Sequence, residues 1–432
     1  MKNTAIAAVV GRRVWDSRGN ATVEAEVHLH GGAVGRAIAP AGASTGSGEA
    51  VDLRDGGPRQ GGLDVTRAVG HVKGPIAEAL RGFDAADQAG LDRVLIDLDG
   101  TPNKGRLGGN ALIAVSMAAA HAAAAAAGLP LWKYLGGDAA VCLPLPEIQI
   151  FGGGAHARER IDIQDFMIVC PGAESFAQAC EWTAEVYRAA GKVMERRGKL
   201  QGLADEGGYW PAFGTNEEGL ELLVRAIEEA GYVPGEQVAI SLDIAASEFG
   251  RDDRYRIKLE DRELTTEGMI EMLLRWVEAY PIVSIEDPLA EDDAEGMRLF
   301  TDAVRGRVQV VGDDFLVTNA ARVREARAAE VCDALLVKPN QAGTLTETRA
   351  AFDAAREAGW GTIVSARSGE TEDVTIVHLA VGWGAPQLKV GSFARSERQA
   401  KWNEAIRIEE SLGERARFAA GAPLPARPRG SR

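Results

Sequence analysis

The stretch "ALLVKPNQAGTLTETRAAFDAAREAGWGTIVSARS", residues 334–368, decides the fold of this 432-residue chain. It contains a short apolar run, ALLV, then a helix-length amphipathic segment and a second apolar run, TIVS. Strands that are apolar throughout are typical of a parallel sheet covered by helices on both faces. Each run is followed by a cationic residue, Lys338 after the first and Arg367 after the second. The stretch therefore predicts a strand–helix–strand unit with charge at the strand ends.

The same alternation recurs along the second part of the chain. The matching runs are QVAISLD, PIVSIED, VQVVGDD, ALLVKPN, TIVSARS and QLKVGS. Before about residue 140 the pattern differs, since "ATVEAEVHLH" and "AVGRAIAP" alternate as the strands of an antiparallel meander do. Helices are predicted near 64–80, 84–97 and 109–127. We therefore predict an α/β fold with an N-terminal α+β capping domain at 1–140, a β/α barrel catalytic domain at 141–420 and a frayed tail at 421–432.

Composition excludes several classes of partner. The net charge of −15 argues against nucleic acid or an anionic membrane as a partner. The N-terminus lacks the pattern of a signal peptide, and the run "AVSMAAAHAAAAAAGLP" is too short and too weakly apolar for a membrane span, so it predicts a buried helix. The four cysteines have no metal-like spacing, which predicts reduced thiols in a cytoplasmic protein.

The late strands end in charged residues, and these form the candidate site. In a barrel the C-terminal strand ends meet at one mouth. The acids among them are Asp243, Glu286 and Asp313. Three neighbouring carboxylates repel one another, and a divalent cation with oxygen ligands, best Mg²⁺, removes that repulsion. The alternative for each acid alone is a helix cap or a pair with a lysine, but three on successive strand ends favour a metal site.

The cations at the other strand ends suggest acid–base chemistry. Burial beside Mg²⁺ and another lysine predicts a depressed pKa for Lys338, and a neutral lysine is a general base near pH 7. The alternative is a salt bridge to one of the acids. Arg367 with Ser368 suits a phosphate-type oxyanion. Glu206, in "DEGGYW", is either a general acid or a turn residue. Together these parts indicate removal of a proton α to a carboxylate with loss of a poor leaving group, a chemistry in which a lysine base works with Mg²⁺.

Eleven stretches in order show a family resemblance over nearly the whole chain. They are DSRGNATVE, GASTGSGEA, DGTPNKGRLGGNA, GGGAH, DEGG, DIAASEF, SIEDPLAEDD, GDDFLVTN, NQAGTLTET, SGETED and ARSERQAKWNE. With these the chain resembles the enolases (phosphopyruvate hydratases). The resemblance implies a capped β/α barrel enzyme that forms homodimers or larger assemblies. It also implies two Mg²⁺ ions per site, the first held by the three strand-end acids and the second, which arrives with substrate, by Ser44.

The resemblance also implies the catalytic roles. Lys338 resembles the base that takes the C2 proton, and Glu206 resembles the acid that protonates the departing C3 hydroxyl. His156 is similar to a loop residue that closes over the substrate. Asp165 stands where the family has a Glu that supports leaving-group chemistry.

The substrate implied is a small anionic carboxylate that carries phosphorus. Lys389 resembles the partner of its carboxylate, and Arg367 with Ser368 resembles its phosphate site. Gln164 and Ala366 are expected beside the substrate as well.

Departures from the family pattern concentrate near the site. The usual enolase has His where Ala366 stands, Asp165 is one methylene shorter than the usual Glu, and Val390 lies in an altered "KVGSFARSER" stretch. We therefore expect a specialised paralogue that makes carboxyphosphonoenolpyruvate in phosphonate or phosphinothricin-type biosynthesis. The alternatives are a glycolytic enolase and an inactive enolase-like scaffold, and the intact acids and lysines argue against the last.

Overall fold

A computed structural model describes residues 3–425. Its N-terminal part holds an antiparallel sheet of three strands, in the order Ile6–Trp15, Ala21–Leu29, Val34–Ile38. The helices of this part are Thr66–His71, Ala77–Leu80, Gln88–Asp99, Gly109–Ala126 and Leu131–Gly136. The first two join through a π-helical turn, Val72–Ile76, which contains Pro75. Pro has no N–H to donate within a helix, so the widened turn fits its position.

The Gly109–Ala126 helix forms the centre of the capping domain. It packs on the sheet so closely that a Cβ on Gly35 would lie 2.1 Å from the carbonyl oxygen of Ala118. By length and composition alone this helix could cross a membrane, contrary to the expectation from the sequence, but 83% of it is buried inside the protein. The prediction of a buried helix is therefore confirmed.

The second part of the chain is a closed barrel. Within the described residues its strands are Leu145–Gly152, Asp165–Val169, Ala239–Asp243, Ile282–Glu286, Gln309–Gly312, Ala334–Val337, Gly361–Ser365 and Gln387–Ser392. The predicted fold class, a capped β/α barrel, is confirmed.

One strand differs from the predicted parallel pattern. Asp165–Val169 runs antiparallel to both of its neighbours in the barrel. The reason is its connection: residues 153–164 form a short loop with one 3₁₀ turn, whereas a parallel return needs a longer crossover. The antiparallel pairing sets Asp165 directly opposite Asp243, so the first residue of one strand and the last residue of its neighbour meet at the mouth.

Helices surround the barrel and cover its apolar strands. They are Phe176–Arg196, Asn216–Glu229, Thr266–Ala279, Ala294–Val304, Ala320–Ala329, Pro339–Ala342, Leu345–Glu357, Thr375–Trp383 and Ser396–Leu412. Six of those described begin at a side-chain cap, namely Ser175, Thr215, Thr265, Asp293, Asn319 and Thr344. Each cap oxygen accepts a hydrogen bond from a backbone N–H of the first turn, which fixes where the helix begins.

Smaller elements complete the barrel domain. An antiparallel sheet is made of Gly250–Arg251, Arg254–Ile257 and Arg262–Thr265, and Cys142–Leu143 pairs with Arg417–Phe418. Residues 421–425 contain turns, and Leu424 packs against a cluster that includes Leu145, which begins its strand, and Val169, which ends the antiparallel one. This part of the predicted frayed tail is therefore packed, and residues 426–432 lie outside the described residues.

The capping domain reaches over the mouth of the barrel. The backbones of Ala41 and Gly369 exchange two hydrogen bonds, at 2.9 and 2.8 Å. The Ser368 hydroxyl accepts a hydrogen bond from the Ala43 N–H at 2.7 Å. The loop after the third strand of the cap is thus joined to the loop that carries Arg367, which encloses the candidate site.

Candidate active site

The strand-end acids and lysines meet at the mouth as predicted from their positions. Lys389 Nζ lies 2.8 Å from Asp243 Oδ2 and 2.7 Å from Glu286 Oε2. Lys338 Nζ pairs with Asp313 Oδ2. All five side chains are buried. Pairing with lysine, which was the alternative for the acids taken singly, is therefore present in this arrangement.

Both lysines have a raised pKa because each lies against carboxylates. Burial acts to lower the pKa of Lys338, but the Asp313 carboxylate outweighs it, and the net pKa is raised. Burial likewise acts to lower the pKa of Lys389, yet Asp243 and Glu286 raise it well above its ordinary value. The prediction for Lys338 assumed a Mg²⁺ ion beside it and so stays a prediction, whereas the alternative, a salt bridge to one of the acids, is present in this arrangement.

Two observations test whether the acids fit a divalent cation. Burial and the nearby Asp243 raise the pKa of Glu286 well above its usual range, so its charged form lacks sufficient countercharge. Glu286 Oε1 is buried and has no hydrogen-bond partner among the described residues. An unpartnered carboxylate oxygen beside two further acids is a suitable donor set for Mg²⁺. The residues present therefore fit the ion.

A second acidic group adjoins the first and was missed in the sequence. Asp287 accepts the N–H groups of Asp313 at 2.9 Å and Asp314 at 2.8 Å. Burial, together with the neighbouring acids, raises the pKa of Asp287 well above its usual range and that of Asp314 to about 8. The doubled acids in "IEDP" and "GDDF" were the available signal, and the Asp287 carboxylate holds the backbone of Asp313 and Asp314.

His156 lies between two of the predicted catalytic acids. Its Nδ1 is 2.9 Å from Asp165 Oδ1, and its Nε2 is 3.5 Å from Glu206 Oε1. Burial opposes charge on the imidazole, but Asp165 and Glu206 together raise its pKa to about 9. Gln149, which sequence reasoning missed, donates to Asp165 as well. The structure thus brings Glu206 into the mouth, and its role as acid rather than turn residue is still a prediction.

Gly391 is required where Glu206 meets the last barrel strand. Its φ is +104°, a conformation that side chains rarely adopt, and a Cβ there would lie 2.9 Å from Glu206 Oε2. The strand register shifts between Lys389 and Gly391, so Lys389 lies within a strand that continues to Ser392 rather than at its end.

Arg367 and Ser368 lie at the mouth on a firmly held loop. Arg398, fully buried, donates to the carbonyl oxygens of Arg367 at 2.7 Å and of Ser368. Glu370 accepts the Arg367 N–H at 3.0 Å and pairs with the buried Lys401 at 2.8 Å. The "ARSERQAK" stretch therefore supports the loop that carries Arg367. Sequence reasoning missed this support because the two segments are far apart in the chain.

The remaining predicted residues line one enclosed space. Ser44, Gln164 and Ala366 are among its walls, Val390 of the altered stretch lies there as well, and its free volume is about 20 Å³. Gln164 Nε2 also donates to Asp243 Oδ2 at 3.0 Å. A volume near that of one water molecule cannot hold a phosphorylated acid. We therefore expect the mouth to widen when a substrate enters.

Comparisons with known proteins agree with this architecture. The family model described as "Enolase, N-terminal domain" matches residues 6–135, and "Enolase, C-terminal TIM barrel domain" matches residues 140–424. A relative named "Enolase 1", from Desulfitobacterium hafniense (strain Y51), is 50% identical over 421 residues, which are 97% of this chain and 96% of the relative.

Proposed function

The chain belongs to the enolase family, and on that premise we propose that it is a glycolytic phosphopyruvate hydratase, a Mg²⁺-dependent hydro-lyase that converts 2-phosphoglycerate to phosphoenolpyruvate. The observation that carries the proposal is the intact set at the mouth: Lys338 against Asp313, and Lys389 between Asp243 and Glu286. The name of the 50% identical relative favours this activity over the specialised synthase expected from the sequence.

Asp243, Glu286 and Asp313 would hold the first Mg²⁺, and Ser44 the second. When bound, the ions neutralise the charge that gathers on the substrate carboxylate as the α proton leaves. An Asp313 carboxylate engaged with a cation no longer offsets burial at Lys338. Burial would then lower the pKa of Lys338 and favour the neutral amine that the proposed base needs.

The chain's own groups then move the protons. Lys338 Nζ accepts the proton from C2, and the C–H electron pair forms the double bond to C3. Glu206 gives a proton to the C3 hydroxyl, whose bond to carbon breaks, and water leaves. Asp165 holds His156 so that a positively charged imidazolium lies 3.5 Å from Glu206 Oε1. The proposed acid therefore has a cation beside it.

Further groups bind the substrate's two anionic ends. Lys389 would pair with the carboxylate once its own acids hold metal, with Gln164 beside it. Arg367 and Ser368 would bind the phosphate by charge-assisted hydrogen bonds. We also propose that the protein works in the cytoplasm as a homodimer or a larger assembly, as the family resemblance implies.

A second candidate keeps the same chemistry on a larger substrate. Ala366 lies in the wall of the site next to Arg367, where a small side chain leaves room beside the phosphorus group. That one feature favours carboxyphosphonoenolpyruvate synthesis, which the comparisons do not support.

One assay separates these functions. Purified protein with Mg²⁺ and 2-phosphoglycerate is followed by the ultraviolet absorbance of the enolpyruvate product. Turnover at a rate of about 10 s⁻¹ or above, ordinary for an enzyme, supports the proposal. Absence of turnover with activity on a carboxyphosphono analogue would replace it by the second candidate. Failure on both substrates would favour an enolase-like scaffold.

A further inference from the structure

Glu49, in the "GASTGSGEA" stretch, has no role in the chemistry above, yet it is the centre of a contact network. Its Oε2 accepts from Arg367 Nη1 at 2.9 Å, and its Oε1 accepts from Arg367 Nη2 at 3.2 Å. Oε1 also accepts from the Gly46 N–H at 3.0 Å and from Gln341 Nε2 at 3.3 Å. One carboxylate thus joins the predicted phosphate residue to the loop in front of it.

The loop wraps around the same guanidinium. Arg367 Nη2 donates to the carbonyl oxygen of Ser44 at 2.8 Å. A Cβ on Gly42 would lie 2.0 Å from that nitrogen, so only glycine permits this approach. The Glu49 N–H closes a turn onto the Gly46 carbonyl at 3.2 Å. Residues 42–48, which we call the cap loop, are therefore fastened to Arg367 through Glu49.

This ion pair is buried, unlike most pairs on the surface. The Arg367 side chain is 2% exposed and that of Glu49 is 9% exposed. Removal of one partner of a buried pair leaves the other charge uncompensated, so the contact has a strong effect on the state of the loop. Gln341 extends the network inward, since its Nε2 also donates to Asp313 Oδ1 at 3.0 Å.

We propose that Glu49 is a positioning residue that holds the cap loop closed through Arg367 and fixes the guanidinium for an incoming phosphorus oxyanion. The cap loop and the anion-binding residue then move as one unit. The free volume of the site, about 20 Å³, is small for a phosphorylated acid, and Ser44 of the cap loop is part of its wall. We expect the cap loop to open when substrate enters, which breaks the Glu49–Arg367 contacts. That the oxyanion is the substrate's phosphate rests on the proposed function.

Hydrogen–deuterium exchange of the full-length protein tests the proposal without turnover. We expect Glu49→Gln to speed exchange of the cap-loop amides by about tenfold or more, since a hydrogen bond to a charged group is worth about 1.5–3 kcal/mol. Inorganic phosphate is expected to slow this exchange in the wild type and to lose most of that effect in Glu49→Gln. Arg367→Lys is expected to speed exchange by a similar factor, and the double variant by no more than either single one, because both changes break the same contact.

The matched control is Glu291→Gln. Glu291 Oε2 accepts the Ser47 N–H at 3.2 Å, so this variant makes the same charge change against the same loop but away from Arg367. It should leave exchange at Gly46 unchanged. Glu49→Asp keeps the charge on a shorter side chain and should give an intermediate effect, and circular dichroism confirms that each variant is folded.

Three results would overturn the proposal. They are unchanged exchange in Glu49→Gln, additive effects of the Glu49 and Arg367 changes, and tighter phosphate binding by Glu49→Gln, which would make Glu49 a competitor of the anion. A wild type that shows the expected exchange but no turnover of 2-phosphoglycerate would contradict only the proposed function.

Discussion

Two polar layers lie one above the other inside the barrel, and they differ in how completely their groups are paired. The upper layer is Asp243, Glu286, Asp313, Lys338 and Lys389. The lower layer is Glu147, Ser241, Ser284, Gln309 and Gln387. Several lower residues lie two positions before an upper one on the same strand and so share its face.

The lower layer is satisfied by its own amides and hydroxyls. Gln309 and Gln387 donate to each other at 2.9 and 3.0 Å, and Gln387 also donates to Glu147 at 2.5 Å. Ser284 donates to Gln309 at 3.1 Å. In the upper layer Glu286 Oε1 has no partner among the described residues. Complete pairing marks a layer that stabilises the barrel, whereas a buried unpartnered oxygen marks one that binds a ligand.

The largest effect is expected from a change in the upper layer. Lys338→Ala removes the proposed base, so kcat should fall by about 10²–10⁴-fold or more. Glu147→Gln, its control in the lower layer, should leave kcat nearly unchanged because the side chain of Glu147 hydrogen-bonds to Gln387 and Ser241, which have no proposed catalytic role. An equal loss of kcat in steady-state assays of the two variants would show that the two layers do not differ in function.

Changes in the two layers should also differ in their effect on Mg²⁺ affinity. Glu286→Gln replaces one oxygen of a proposed ligand by an NH₂ group. Loss of a group that only supports a ligand lowers metal affinity by about 10–100-fold, and for the ligand itself we expect the upper end of this range. Mg²⁺ affinity, measured by calorimetry, should therefore fall about a hundredfold. Ser284→Ala, two residues earlier on the same strand, should leave it unchanged. An unaltered affinity in Glu286→Gln would mean that the ion binds elsewhere.

Ala366 tests the rim of the upper layer. Ala366→His adds a donor beside the phosphate site and fills space, so it should shift the ratio of kcat/KM toward 2-phosphoglycerate and away from a carboxyphosphono analogue. A charge-assisted hydrogen bond of about 1.5–3 kcal/mol predicts a shift of roughly ten- to a hundredfold. If the ratio stays constant, the small residue has no part in substrate choice.

The smallest effect is on stability and comes from the lower layer. Burial raises the pKa of Glu147 from 4.5 to about 7. Between these values the folded protein holds a proton that the unfolded chain has lost, so the free energy of unfolding falls as pH rises from about 4.5 to about 7. Over this window the free energy of unfolding changes by at most about 3 kcal/mol, and Glu147→Gln should remove the change. Denaturant titrations at pH 5 and pH 8 measure it, and a slope equal to the wild type's would show that Glu147 ionises freely.

Much of the upper layer was predictable because its residues end or follow continuous apolar runs of strand length. The strands that precede Lys338 and Arg367, Ala334–Val337 and Gly361–Ser365, both lie where those runs predicted. Leu145–Gly152 was missed because Pro146 and Glu147 interrupt its apolar pattern, and Asp165–Val169 because no helix separates it from its neighbour.

Contacts between distant residues were not predictable. Glu49 and Arg367 are 318 residues apart in the chain, and nothing local in either segment indicates the pair. The raised pKa of Lys338 depends in the same way on Asp313, which only the closed barrel brings to it. Sequence thus predicts which residues reach the mouth, whereas their partners there depend on the fold.

Exchange of the C2 hydrogen of 2-phosphoglycerate with deuterated water, followed by nuclear magnetic resonance, tests most directly whether Lys338 is the base and Glu206 the acid. We predict exchange in the wild type, exchange without dehydration in Glu206→Gln, and neither in Lys338→Ala. Exchange that survives in Lys338→Ala, or that disappears in Glu206→Gln while Lys338 is intact, would contradict this division of roles.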